Sequence, residues 1–164
     1  MEITVCGPAD VALLDQRFGS SGAMSFHARR FARQERGEST YLVAWLDGRP
    51  VGHGELRWIG CDAADVRAAR PGCPEIGALG VSEELRSQGI GTALIHAAEE
   101  RVRERGITVV GIGVAKDNPR AAALYTRLGY QPLIDYYDRW SYEGTDGRFH
   151  DWVDACTFLV KDLF

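Results

Sequence analysis

Apolar residues at Val11, Leu13, Leu14 and Phe18 fall on one side of a helix over Ala9–Phe18, with Asp10 placed to cap it. A second helical pattern covers Ser25–Gln34 and turns Phe26 and Phe31 inward, with arginines outward. The period then changes. Thr40–Trp45 predicts a strand, Asp47-Gly48 a hairpin turn, and Val51–Ile59 the antiparallel partner. Cys61–Gly72 follows no period and reads as a loop with room for one helical turn. Pro74–Val81 predicts a strand with interior glycines at Gly77 and Gly80. Glycine weakens a plain strand, so these mark a bulge or the close approach of another backbone or a ligand. A helix is predicted from Gly91 to Arg105, closed by Gly106. Ile107–Val114 is a buried strand carrying Gly111 and Gly113, and Asn118-Pro119 opens a helix that closes at Leu128-Gly129. Tyr130–Tyr142 and Asp151–Val160 are strands joined by Gly144–Gly147. The order is ααββ–βαβα–ββ. No repeat, low-complexity tract or linker divides it, so residues 1–164 are expected to form a single domain.

Composition narrows the chemistry. The chain is 45% hydrophobic and 26% charged, an ordinary globular balance. No apolar run has membrane-spanning length, and Met1–Val5 lacks the features of a secretory signal, so the cytoplasm is the expected location and no membrane partner is expected. A net charge of −4 argues against a nucleic-acid partner. Cys6, Cys61, Cys73 and Cys156 are scattered, without a C-x-x-C pair, and read as reduced thiols. His27, His53, His96 and His150 lack metal-binding spacing, so no metal is expected.

The segment Arg86-Ser87-Gln88-Gly89-Ile90-Gly91-Thr92 stands between a strand and a helix. A helix start leaves backbone N–H groups unpaired at the positive end of the macrodipole, and glycines without Cβ let an anion reach them. No Gly-Lys-Ser/Thr follows, and the third glycine of a dinucleotide loop is replaced by Leu94. The loop alone is equally compatible with a tight turn that only packs the helix on the strand.

The loop has company. Arg86-x-x-Gly89-x-Gly91 resembles the Arg/Gln-x-x-Gly-x-Gly/Ala signature of the GNAT superfamily of acyl-CoA N-acyltransferases. "EIGALGVSEELRSQGIGTALI" resembles that family's fourth strand, pyrophosphate loop and third helix. "VGIGVAKDNPRAAALYTRLGYQ" resembles its fifth strand and fourth helix, and the Tyr41–Trp58 hairpin fits strands two and three. The likeness is strong over about residues 40–132 and loose at both ends. It implies a mixed α/β fold: a central, mostly antiparallel sheet splayed between its fourth and fifth strands and flanked by helices.

The resemblance implies acetyl-CoA as cosubstrate and an amine as acceptor. Arg86 to Thr92 would hold the pyrophosphate. The backbone of Leu79 and Val81 would pair with the pantetheine, and a backbone N–H of Leu79 or Gly80 would hold the oxyanion. Gly77, Gly80, Gly111 and Gly113 would leave room where the strands part, although packing relief is an alternative for Gly111. Asn118 reads independently as a helix N-cap, and the family adds a hydrogen bond to the pantetheine. Tyr125 reads as a core residue, to which the family adds protonation of the departing thiolate. Phenol and thiol have free pKa values of about 10 and about 8.5, so that transfer is feasible. Glu75 matches members that use a glutamate on this strand as base, with Glu55 or water as alternatives. An acyl-CoA-binding sensor without transfer activity is the competing reading. Asp62, Asp65, Asp135, Asp138 and Glu143 offer either attraction for a cationic amine or a solvated surface. Dimerisation through the terminal strands is compatible with this fold.

Overall fold

Alternation along Thr40–Trp45 sends Tyr41 and Val43 to one face and Leu42 and Ala44 to the other, and all four are buried. A strand apolar on both sides must lie inside a covered sheet. The computed structural model describes residues 1–20 and 25–164, and it places this segment there. Seven strands form one sheet: β1 Glu2–Val5, β2 Ser39–Leu46, β3 Arg49–Arg57, β4 Glu75–Val81, β5 Val109–Ala115, β6 Gln131–Glu143 and β7 Phe149–Asp162. Their spatial order is β1-β2-β3-β4-β5-β7-β6. Every neighbouring pair is antiparallel except β4 and β5.

Helices cover both faces: α1 Asp10–Phe18, α2 Phe26–Glu35, α3 Ala64–Ala69, α4 Ile90–Glu104 and α5 Pro119–Arg127. On one face α4 inserts Ile90, Leu94, Ile95, Ala98 and Val102 among Leu42, Leu56, Ile76, Val110 and Ile112. Each fully buried side chain of this size contributes roughly 1.5–3 kcal/mol relative to exposure. Glu99 is buried on the same helix. It accepts from Tyr130 Oη and from Lys161 Nζ, each at 2.9 Å, which ties α4 to β7 and to the segment just after α5. On the other face Leu14 and Cys6 pack on Tyr41 and Val43. Val66 of α3 packs separately with Cys61, Cys73, Tyr136, Cys156 and Phe158.

Three details differ from the sequence pattern. β1 precedes the first helix, and α3 gives form to the stretch read as a loop. Ala9 occupies the N-cap of α1, whereas Asp10 is its first helical residue and reaches back to accept the Gly7 N–H at 2.8 Å. Ser25 caps α2 as its position suggests, accepting from Ala28 N at 2.8 Å. At the far edge β6 and β7 are 13 and 14 residues long against 7 in β5, so their outer halves project as a two-stranded ribbon. Trp140 and Trp152 stack on it with ring centroids 6.3 Å apart. No helix among the described residues is long and apolar enough to cross a membrane.

Candidate active site

The parallel strands β4 and β5 pair at only two positions, Glu75 with Gly111 and Ile76 with Ile112. Beyond Ile76 they separate. From Gly77 to Val81, β4 has a strand neighbour only on its β3 side, so part of its backbone hydrogen-bonding capacity faces the gap. A bulge lies in the same stretch: Gly77 opposes Glu55 and Gly80 opposes His53, leaving Ala78 and Leu79 opposite Gly54 alone. Ala78 takes φ +52° to make it.

The mouth of the gap is built from the two helix starts that follow these strands. Gly89 has φ +86°, a left-handed conformation that favours glycine, and caps α4 without a side-chain hydrogen bond. A Cβ at Gly89 would meet nothing within 4 Å, and at Gly91 only Val81 Cγ2 at 3.9 Å. The first-turn N–H groups of α4 therefore open onto bare space. This is a geometry that accepts a phosphate, and the fit rests on this cradle. Arg120 of α5 crosses the mouth and donates to Ser87 Oγ at 2.9 Å. Asn118 caps α5, accepting from Ala121 N at 3.2 Å through Oδ1, and its amide N–H groups have no partner among the described residues. Tyr125 is buried at 9% exposure, hydrogen-bonds to no described residue, and has its phenol pKa raised by burial.

The two glutamates considered as bases differ sharply. Glu55 is 3% exposed and accepts from Arg33 Nε and Nη2, both at 2.8 Å. It is a bidentate link from β3 to α2, so the reading of Glu55 as an alternative base is corrected. Glu75 is half-buried at the closed end of the gap, and its carboxyl is pushed up to about 7. Burial is the main cause. The Arg57 guanidinium opposes it, and Asp138 and Asp62 add to it. Arg57 also donates to both Asp62 oxygens at 3.0 Å. Asp62 and Asp138, with Asp65 and Tyr137, line a cavity of about 330 Å³. Asp135 belongs elsewhere: it accepts from Lys116 at 2.7 Å and Thr157 at 2.9 Å. Burial pushes the thiols of Cys6, Cys61 and Cys73 to about 12, which leaves them poor nucleophiles at neutral pH.

Most of the glycine reading is overturned. Of the four strand glycines, Gly77 alone faces open space, with nothing within 4 Å of a notional Cβ. At Gly80 that Cβ would strike the His53 ring, at Gly111 the Phe158 ring and at Gly113 the Tyr136 hydroxyl. These three make room for side chains of the protein itself, which bears out the packing alternative for Gly111. His53 beside the bulge, Arg120 at the mouth and Arg57 beside Glu75 are neighbours of the site that the sequence pattern did not single out.

The splayed parallel pair with a bare loop at its mouth defines the class. Residues 11–130 match the acetyltransferase (GNAT) family model, and the chain belongs to that family. It is 33% identical over 98 residues to an uncharacterized N-acetyltransferase of Methanocaldococcus jannaschii, covering 59% of this chain and 41% of that protein. It is 35% identical over 103 residues to a mycothiol acetyltransferase of Sanguibacter keddieii, covering 63% and 31%. The chain thus matches less than half the length of these relatives. A Salmonella typhimurium protein solved with its cofactor acetyl-CoA shares the fold, with TM-score 0.68, 20% identity and coverage of 100% and 94%.

Proposed function

We propose that the protein transfers an acetyl group from acetyl-CoA to a primary amine by direct attack within a ternary complex. The parted β4–β5 pair carries this reading, with an anion cradle at its mouth and a carboxyl of raised pKa at its closed end. Backbone N–H groups from Arg86 to Thr92 hold the pyrophosphate, and the free edge of Leu79 and Val81 together with the Asn118 amide takes the pantetheine.

An amine must be neutral to attack, yet free amines have pKa values from about 8 to about 10. Glu75 accepts the proton, directly or through water, and its raised value suits a base working near neutrality. The C–N bond forms, the carbonyl oxygen takes up charge against a backbone N–H of Leu79 or Gly80, and the nitrogen, now positive, releases its second proton to solvent. The C–S bond then breaks, and Tyr125 protonates the leaving thiolate and is reprotonated from solvent. Asp62 and Asp138, which act on Glu75, line a cavity with Asp65, and the three carboxylates favour an acceptor that arrives as a cation.

A panel of amines, assayed by thiol release, tests the reading. Thiol release with none of them, alongside tight acetyl-CoA binding, would establish an acyl-CoA sensor instead. Tyr125→Phe is expected to lower kcat about 10- to 100-fold with acetyl-CoA affinity unchanged, because the hydroxyl anchors nothing in the fold. Unchanged turnover at every pH would remove Tyr125 from the mechanism.

A further inference from the structure

On the projecting ribbon of β6 and β7, residues pair directly across the two strands: Asp138 with Asp154, Trp140 with Trp152 and Tyr142 with His150. Opposed residues of a ladder leave by the same face, and so does every second residue along a strand. The three pairs are therefore successive rungs of one face, a carboxylate rung followed by two aromatic rungs. Successive rungs lie about 7 Å apart along the strands. Trp140 and Trp152 are 42% and 51% exposed. Tyr142 stacks on His150 with centroids 5.2 Å apart and lies 5.7 Å from Trp140, so the rings are continuous from rung to rung.

Glu75 belongs to the same face. It pairs with Gly111 of β5 and so leaves the sheet on the side of Gly111, where a Cβ would strike the Phe158 ring. Phe158, Cys156, Asp154 and Trp152 alternate along β7 on that side. Tyr136, opposite Cys156, packs against Phe158 with centroids 6.0 Å apart. Asp138, two residues further along β6, lines the cavity together with Asp62 and Asp65. The proposed base, the acidic cavity and the rings thus follow one another along one side of the sheet.

The chain's own cations leave the ribbon face open. Asp138 and Asp154 stand directly opposite each other, which disfavours two like charges. No lysine or arginine forms an ion pair with either of them among the described residues. Asp154 accepts from Trp140 Nε1 at 2.9 Å. Arg57 acts on Asp138 but bonds to Asp62. Arg139 leaves by the opposite face, 6.0 Å from the Tyr137 ring centroid. Elsewhere an arginine covers an indole: Arg105 lies 3.4 Å from the ring centroid of Trp58. Trp140 and Trp152 have no such cation among the described residues.

We propose that this ribbon face binds the body of the acceptor, and that the acceptor is a linear aliphatic polyamine. Carboxylates take ammonium groups, and indole faces take methylene segments and the cations beside them. A carboxylate rung beside aromatic rungs matches a chain in which ammonium groups alternate with methylene segments. One terminal amine reaches Glu75, while a second ammonium stays between Asp138 and Asp154 and relieves their repulsion. The inference rests on the acetyl-transfer reading for the fate of the terminal amine, but not for the binding of the polyamine.

The test uses the full chain with spermidine and with butylamine, which offers an amine but no second charge. Thiol release gives kcat/KM for each, and calorimetry without acetyl-CoA gives the Kd of spermidine. Spermidine is expected to exceed butylamine in kcat/KM by about tenfold or more. The double variant Trp140→Leu with Trp152→Leu keeps apolar bulk and removes the indole faces. It should raise the Kd of spermidine about tenfold and lower the spermidine-to-butylamine ratio by a similar factor. Asp138→Asn with Asp154→Asn should do the same. A parent that favours butylamine, or a spermidine Kd within about twofold of the parent in both double variants, would overturn the proposal. So would a lysine-rich peptide that binds and reacts better than spermidine. A dimer lost in the tryptophan variant while spermidine binding persists would make the ribbon a contact between copies, and would overturn it too. If spermidine binds the parent and is lost from the variants but no amine is acetylated, the transfer reading fails by itself and the polyamine site stands.

Discussion

Glu75→Gln is expected to make the protein a much poorer catalyst and a more stable fold. With the proposed base gone, kcat/KM for an amine should fall by about 10²-fold or more at pH 8. The stability change follows from the same carboxyl. Its pKa stands at about 7 in the folded chain, above the ordinary 4.5, so the folded state holds the proton more tightly than the unfolded state does. The favourable contribution is fully present below about 4.5 and is lost as pH rises through about 7. Above that, the carboxylate is a burden on the fold, and glutamine removes it. Allowing for partial exposure, the variant should gain about 2 kcal/mol at pH 8 and nothing near pH 4. Denaturant midpoints at the two pH values check the gain. If Glu75 is the base, kcat/KM of the parent protein should rise with pH through about 7 as Glu75 ionises, and the variant should lack that limb. A stability difference independent of pH would show that Glu75 is not the group responsible.

Arg33→Ala is expected to be the most damaging single change to the fold away from the apolar core. Glu55 is 3% exposed and takes both of its hydrogen bonds from Arg33, whose side chain is 29% exposed. Removing the arginine leaves a buried carboxylate without compensation, a loss of about 3–5 kcal/mol. Replacing both partners with apolar residues, Arg33→Met with Glu55→Leu, should recover most of that, since the penalty lies in the orphaned charge. Arg36 and Glu38 form an equally bidentate pair on the surface, and Arg36→Ala should leave the unfolding midpoint where it is. Chemical denaturation of the three variants checks the ranking. Equal losses for Arg33→Ala and Arg36→Ala would contradict it.

What the sequence made legible was local. Gly89 and Gly91 sit next to the helix they open, and Asn118 next to the helix it caps, so their meaning lies within a few residues. The β2–β3 hairpin follows from alternation and a turn. What stayed hidden depended on partners far along the chain. Gly111 and Gly113 read like signs of a ligand, but the groups that fill their space, Phe158 and Tyr136, lie on the last two strands. Glu55 had the appearance of a free carboxylate because Arg33 belongs to a separate helix. Short elements were hidden for another reason: four residues of β1 and six of α3 carry too little periodicity to rise above their surroundings. The raised pKa of Glu75 was also beyond reach, since it comes first from burial by distant elements, with Asp138 and Asp62 adding to it.

The sparse junction between β4 and β5 is the thinnest seam in the sheet. Four strands lie on one side and three on the other, joined through the ladder by two residue pairs and bridged by α4, which packs against both. Local opening follows the weakest seam. Backbone amides of Glu75–Val81 that face the seam are therefore expected to exchange with solvent faster than those in the β2–β3 ladder. A ligand lodged between the two sides would act as a missing strand, and saturating acetyl-CoA should slow exchange on both banks at once.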